Sequence, residues 1–232
     1  MLQNGIITPS NSPWSSPLVV VPKKNGDIRL GVDYRKLNNV TKQDAYALPR
    51  IDATFHTLAG STVFSTLDLY SGYWQIHLDE HDMEKTALPS PIGFYEFSVM
   101  PFGLKNAPAT CQRLMNNAFG NLDRYHALVY LDDIVIFSND YASHLKHFKS
   151  VYCLLKSMNL KLRMEKCTFF RSEIKFLGFV INEQGISTDP DNVSAVKEWK
   201  IHKSRKENES FLGFVSYYRS FIPNLAEKES ML

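Results

Sequence analysis

Apolar and polar positions change period several times along the chain, and each change marks an element. LVVVPKKNGDIRLGVDY (18–34) reads as two strands joined at Lys24-Asn25-Gly26-Asp27, because Asn-Gly supplies the positive φ angles of a tight hairpin. TPSNSPWSSP (8–17) before it is an extended loop, and RIDATFHTLAG (50–60) a short helix with Ile51, Phe55 and Leu58 as its apolar positions. STVFSTLDL (61–69) predicts a strand that breaks at Ser71-Gly72 before another β-like piece, YWQIHL (73–78). GFYEFSVM (93–100) is a strand stopped by Pro101. NAPATCQRLMNNAFGNL (106–122) is helical, with Pro108 in its first turn and Leu114, Met115 and Ala118 along one face. HALVY (126–130) and IVIFS (134–138) are strands on either side of Leu131-Asp132-Asp133. YASHLKHFKSVYCLLKSMN (141–159) is an amphipathic helix of about five turns. EIKFLGFVIN (173–182) and its partner strand close at Glu183-Gln184-Gly185, and DPDNVSAVKEW (189–199) and SFLGFVSYYRSFI (210–222) are helices. Strands and helices in this order indicate an α+β fold.

Composition adds bounds. At 232 residues, 44% hydrophobic and 22% charged, the chain suits one large folded domain or two modest ones. No run of about 18 apolar residues is present, so no membrane partner is expected. The first residues lack the blocks of a signal peptide, and the expected location is the cytoplasm. Cys111, Cys153 and Cys167 are too scattered for a disulfide framework or a zinc site and are expected as buried thiols. The net charge of +2 hides a segregation. Residues 1–50 carry seven basic and three acidic side chains, residues 51–100 one and seven, and residues 156–175 six and two. Each run taken alone is a solvated surface. Together, an acidic centre between basic flanks suits a polyanion held over a cation site.

YLDDIVIFS (130–138) is the stretch that changes the picture. Adjacent carboxylates repel, and placing them between apolar strands is costly without a compensating charge. Leucine at a tight hairpin turn also breaks the rule that Gly or Asn sits there, a kind of misfit that collects at functional sites. The bland alternative is an ordinary polar turn. Asp68 closes the apolar strand before Ser71-Gly72, where a helix cap or a satisfied core carboxylate is the competing account. Three aspartates converging from two neighbouring strands would form a hard-oxygen site for two Mg²⁺ ions, supplying the missing positive charge.

VDYRKLN, LDLYSGYWQI, KTAL, YEFSVMPFGLKNAPATCQRLM, VYLDDIVIFS, KCTFF and FLGFVI stand in the order found in reverse transcriptases of gypsy-class LTR retrotransposons, which the chain resembles from about Ile6 to Ile222. The resemblance implies a right-hand polymerase with fingers, a ferredoxin-like palm and a partial helical thumb. Its boundaries would be 1–60 and 79–105 for fingers (the latter shared with palm), 61–78 and 106–183 for palm, and 184–232 for thumb. It implies RNA-directed DNA polymerase activity on a primed RNA or DNA template with deoxynucleoside triphosphates, using two Mg²⁺ ions for which Mn²⁺ can substitute. Asp68, Asp132 and Asp133 match the metal-binding carboxylates, with Asp68 and Asp132 the principal ligands. Tyr73 matches the steric gate against a 2′-hydroxyl; a core aromatic is the alternative. Leu69, Tyr70, Ser71 and Gly72 would face the triphosphate, and Lys24 and Arg29 would grip its β- and γ-phosphates. Phe102, Gly103 and Pro108 would pack against the incoming base and the template, with Phe102 stacking where the retroviral branch has Gln. Arg35 and Lys36 would meet the template backbone, and Tyr130 and Leu131 are counted with the template and primer contacts. Leu177 and Gly178 would hold the primer terminus. Lys166 is the candidate proton donor to pyrophosphate, with a solvated lysine as the alternative.

Three departures accompany the match. The first Met falls inside what is usually a longer leading helix, KIHKSRKENES (200–210) differs from the usual thumb stretch, and the chain ends at EKESML with no connection or ribonuclease H region. The expectation is a truncated copy with intact active-site motifs. Two rivals follow: an inactive relic that still binds RNA–DNA hybrids, and a template-independent nucleotidyl transferase on the same palm.

Overall fold

A computed structural model of the chain describes residues 1–22, 28–49, 55–120, 126–197 and 204–229. The expected turn at 24–27 and the expected helix position Ile51 lie outside the described residues. The strands are β1 (Ile7–Pro9), β2 (Leu18–Pro22), β3 (Ile28–Val32), β4 (Val63–Asp68), β5 (Leu88–Ser90) and β6 (Gly93–Phe97) in the first half. The second half adds β7 (Ala127–Tyr130), β8 (Asp133–Ser138), β9 (Thr168–Arg171), β10 (Glu173–Phe176), β11 (Phe179–Asn182) and β12 (Gly185–Thr188). The principal helices are α1 (Arg35–Val40), α2 (Ala107–Phe119), α3 (Tyr141–Ser157), α4 (Pro190–Lys197) and α5 (Arg205–Tyr217). The architecture is α+β, as the pattern predicts.

A four-stranded antiparallel sheet in the order β7-β8-β4-β9 forms the centre, with β4 held between β8 and β9. Successive side chains of a strand point to opposite faces, so the unbroken run Ile134-Val135-Ile136-Phe137 divides itself. Ile134 and Ile136 pack with Cys111, Met115, Val151 and Leu155 of α2 and α3. Val135 and Phe137 pack with Phe64, Phe176, Phe179 and Ile181, the last three from the sheet β10-β11-β12. Both faces of β8 are covered, which is why it reads as continuous apolar sequence rather than as an alternation.

Local chemistry corrects several expectations. YWQIHL does not continue as a strand: Ser71 takes φ 49°, the chain turns, and Gly72–Gln75 forms a 3-10 turn. Its β character is confined to an isolated antiparallel bridge between His77 and Val99. The buried face of α2 is Ala107, Cys111, Gln112, Met115 and Phe119, while Leu114 and Ala118 sit half-buried at its margin. α5 starts at Arg205 because the Ser204 side chain accepts the Glu207 N–H at 3.3 Å, a Ser-x-x-Glu start. Of the cysteines only Cys111 is buried; Cys153 is exposed on α3 and Cys167 is half-buried. Among the described residues no helix is long and apolar enough to cross a membrane.

Phe64 is wholly buried between the central sheet and the β10-β11-β12 layer. Phe64→Ala is expected to cost about 3–5 kcal/mol of stability, read by urea unfolding. A cost below about 1 kcal/mol would show that the two layers do not share a core.

Candidate active site

The site is built at one end of the central sheet. β4 ends on Asp68, β8 begins on Asp133, and the antiparallel register sets these two residues directly opposite each other. β7 and β8 are joined through Leu131-Asp132, with Tyr130 paired to Asp133. Leu131 holds φ 57°, so the leucine that breaks the turn rule does occupy the left-handed region. Opposed residues project to the same face, and Asp68 and Asp133 accordingly share a cleft of about 250 Å³ with Lys166, Lys175 and Leu177. Asp132, in the adjoining turn, packs against Gly72. A β-carbon on Gly72 would lie 2.7 Å from the Asp132 β-carbon, so glycine is needed there for close approach.

Like charges facing each other across a sheet are unfavourable. Burial first, then the charges of Asp132 and Asp68, push the Asp133 carboxyl up to about 6, while Lys166 pulls the other way. The Lys166 ammonium lies 3.3 Å from Asp68 Oδ2 and offsets part of the negative charge. Tyr73, half-buried, is pushed up to about 12, mainly by burial and then by Cys111 and Asp132.

The three carboxylates stand at one sheet end without forming a closed cage. Among the described residues no three carboxylate, imidazole or thiol side chains are grouped closely enough to hold a cation. A pair of carboxylates nonetheless suits Mg²⁺, which keeps water and binds through one or two carboxylates plus substrate phosphates. The raised carboxyl of Asp133 marks negative charge in want of a cation. The residues fit the ion.

The segment after Asp68 is fixed by hydrogen bonds. The Leu69 N–H donates to the Asp132 carbonyl at 3.2 Å, the Tyr70 N–H to the Lys161 carbonyl at 2.8 Å, and the Arg163 N–H to the Asp68 carbonyl at 2.9 Å. Gln75 Nε2 donates to the carbonyls of Tyr70 (2.8 Å) and Lys161 (3.0 Å), and its Oε1 accepts the Lys161 N–H at 2.7 Å. The Arg163 guanidinium covers the Tyr70 ring at 5.0 Å. The rings of Tyr73 and Phe102 are 5.1 Å apart, so the expected gate and the expected base platform do meet. Gly103, at φ 97°, follows Phe102, and its carbonyl accepts from Asn38 Nδ2 at 2.8 Å. Pro108 lies in the first turn of α2.

Leu177 (φ 48°) and Gly178 (φ 76°) form the two-residue turn between β10 and β11, and the Leu177 carbonyl accepts from Tyr217 Oη at 2.7 Å. Arg35 is exposed, yet its guanidinium is held by Asp33 at 2.6 Å; Lys36 is exposed beside it. Arg29 stands opposite Val21 in the β2-β3 hairpin. Lys24 lies outside the described residues. Sequence reading passed over Gln75, Asn38 and Gln112, whose amides hold these turns. The available signal was Gln112 itself, a polar residue in register with the apolar stripe of α2.

The profile of the reverse transcriptase (RNA-dependent DNA polymerase) family matches residues 21–181. The chain belongs to this family. The Pol polyprotein of transposon 297 from Drosophila melanogaster, described as retrovirus-related, is 45% identical over 98% of the chain, and the chain covers 22% of it. The Tf2-3 transposon polyprotein of Schizosaccharomyces pombe is 40% identical over 97% of the chain and 17% of its own length. The chain therefore spans roughly a fifth of the length of these transposon polyproteins. A foamy viral protease–reverse transcriptase in complex with double-stranded DNA superposes with TM-score 0.88 at 26% identity, covering 97% of this chain and 40% of that one. The same enzyme type in complex with an RNA/DNA hybrid gives 0.86 at 25% identity, covering 97% and 30%. These neighbours establish a polymerase fold for the chain.

The raised Asp133 has a stability consequence. Its charge is disfavoured in the folded chain, so the penalty is absent below pH 3.8 and complete above about 6. Asp133→Asn is expected to raise Tm at pH 7.5 without added metal by about 2–4 °C, the shift that roughly 1 kcal/mol gives in a domain of this size. The gain should shrink as pH falls through 6. A pH-independent gain in calorimetry would contradict the electrostatic origin.

Proposed function

We propose that this chain extends a primer with deoxynucleotides under the direction of an RNA or DNA template. The observation that carries this reading is the set of aspartates at one sheet end, Asp68 opposite Asp133 with Asp132 in the adjoining turn. Membership of the reverse transcriptase family and the likeness to enzymes held on double-stranded DNA and on an RNA/DNA hybrid support it. The division of labour follows the family: fingers at 1–60 and 79–105, palm at 61–78 and 106–183, and thumb from 184 onward.

Asp68 and Asp132 would hold two Mg²⁺ ions, or Mn²⁺ in their place, with Asp133 adding charge beside them. When bound, such ions acidify the primer 3′-hydroxyl and stabilise the leaving pyrophosphate. The chain's own residues do the rest. Of the segment Leu69 to Gly72, the Leu69 and Tyr70 amides are committed to the Asp132 and Lys161 carbonyls, so those of Ser71 and Gly72 would line the triphosphate, whose approach Gly72 permits. Tyr73, packed on Phe102, fills the space a 2′-hydroxyl would need. Lys166, beside Asp68, keeps a proton near the triphosphate for the departing pyrophosphate. Leu177 and Gly178 present the primer terminus to the cleft of Asp68 and Asp133.

Primer extension on a homopolymer RNA template with a DNA primer tests the reading. Asp68→Asn and Asp132→Asn should each abolish extension while the fold, read by circular dichroism, persists. Undiminished extension by either variant would overturn the assignment. Tyr73→Val should raise ribonucleotide use relative to deoxynucleotides on the order of 100-fold. Equal discrimination by variant and parent would remove Tyr73 from the gate.

A further inference from the structure

Gln112 is wholly buried in α2, in a core otherwise made of Cys111, Met115 and their apolar neighbours. Its amide is committed to the backbone of the aspartate turn. Oε1 accepts the Leu131 N–H at 2.8 Å, and Nε2 donates to the Val129 carbonyl at 3.1 Å. One side chain thus grips the chain on both sides of Tyr130, immediately before Asp132. The residue it holds, Leu131, stands at φ 57°, a conformation that a residue with a β-carbon leaves readily unless something retains it.

The orientation of the Gln112 amide is itself set from outside. Nε2 also donates to Asn116 Oδ1 at 2.9 Å, and Asn116 Nδ2 donates to Tyr46 Oη at 2.6 Å. The Tyr46 ring lies 4.9 Å beneath the Arg113 guanidinium, which pairs with Asp44 at 2.5 Å. With Asn116 presenting its oxygen, Gln112 presents nitrogen to that side and keeps its oxygen for Leu131. A flipped amide would set Nε2 against the Leu131 N–H and Oε1 against the Val129 carbonyl, donor to donor and acceptor to acceptor.

We propose that Gln112 is a positioning residue for the polymerase reaction: it retains the left-handed Leu131 turn and so fixes Asp132 in its place against Gly72. The consequence for catalysis rests on the polymerase reading above; the grip on the turn does not. Gln112→Met, close in volume, removes both backbone contacts without opening a cavity. In that variant the Leu131 amide should exchange with deuterium about tenfold faster, the loss of one buried hydrogen bond. The kcat for extension should fall on the order of 100-fold through misplacement of a reacting group, while template–primer Kd, measured separately, stays unchanged. Leu131→Gly, which takes positive φ without strain, should restore part of that kcat when added to Gln112→Met.

A role confined to core packing would leave the glycine without effect in the double variant, and that result overturns the proposal. So does unchanged exchange at Leu131, or a fall in template–primer affinity that accounts for the lost activity. Should Gln112→Met fail to fold, Gln112→Asn carries the test, since it keeps an amide in the core but is one methylene too short to reach the Leu131 N–H. It should speed Leu131 exchange and lower kcat, and unchanged values in both overturn the proposal. A parent chain that extends no primer would sink the polymerase reading alone, because exchange at Leu131 still decides what Gln112 does.

Discussion

Two carboxylates facing each other across antiparallel strands is the constraint on which the rest of this structure depends. Asp68 and Asp133 are forced together by register, and the register is forced by the apolar residues behind them. A slip of one residue would turn Ile134 and Ile136 away from α2 and α3 and set Val135 and Phe137 in their place. The packing of two cores on opposite faces of β8 therefore holds a like-charge pair that would otherwise separate. The site is electrostatically unfavourable and sterically enforced, as expected where charge is arranged in advance for a cationic partner.

The neighbouring elements answer to that pair. Gly72 clears space for Asp132, and Ser71 at positive φ turns the chain so that the glycine can reach it. Lys166 gives partial relief to Asp68 from a strap stitched to the same turn through Tyr70, Lys161 and Gln75. Gln112 reaches the other side of the site from α2. Hydrogen bonds from the side-chain amides of Gln75, half-buried, and Gln112, buried, rather than further charges, fix the geometry. Such bonds specify a position without adding to the repulsion, and each leaves a costly unpaired group if removed.

Charge among apolar residues is the signal that sequence displays most clearly, so Asp68, Asp132 and Asp133 were legible, as were the strands that carry them. The α+β class followed from periodicity. The path after Asp68 was not legible, because Tyr73 and Trp74 fit a strand as well as the 3-10 turn they form, and the positive φ of Ser71 turns the chain before them. Gln75, Asn38 and Gln112 were missed because an amide carries no charge and its partners are backbone groups distant in sequence. The outward facing of Cys153 and the rotation of the α2 stripe toward Gln112 depend on which face tertiary packing covers, which the helical period alone does not say. That the three aspartates would meet from two neighbouring strands was read from the strand pattern, and the pairing of Asp68 with Asp133 beside the Asp132 turn is the register that brings them to one sheet end.

On the polymerase reading proposed above, Asp68, Asp132 and Asp133 form no finished cation cage in the free chain and acquire their ions with the substrate. Equilibrium binding of Mn²⁺, followed by electron paramagnetic resonance, tests it directly in the free chain and in the complex with template, dideoxy-terminated primer and the complementary deoxynucleotide. The account predicts weak binding by the free chain, tight protein-bound Mn²⁺ in the full complex, and loss of the tight fraction in Asp132→Asn. Tight stoichiometric binding by the free chain, or no protein-bound Mn²⁺ in the full complex, would contradict it.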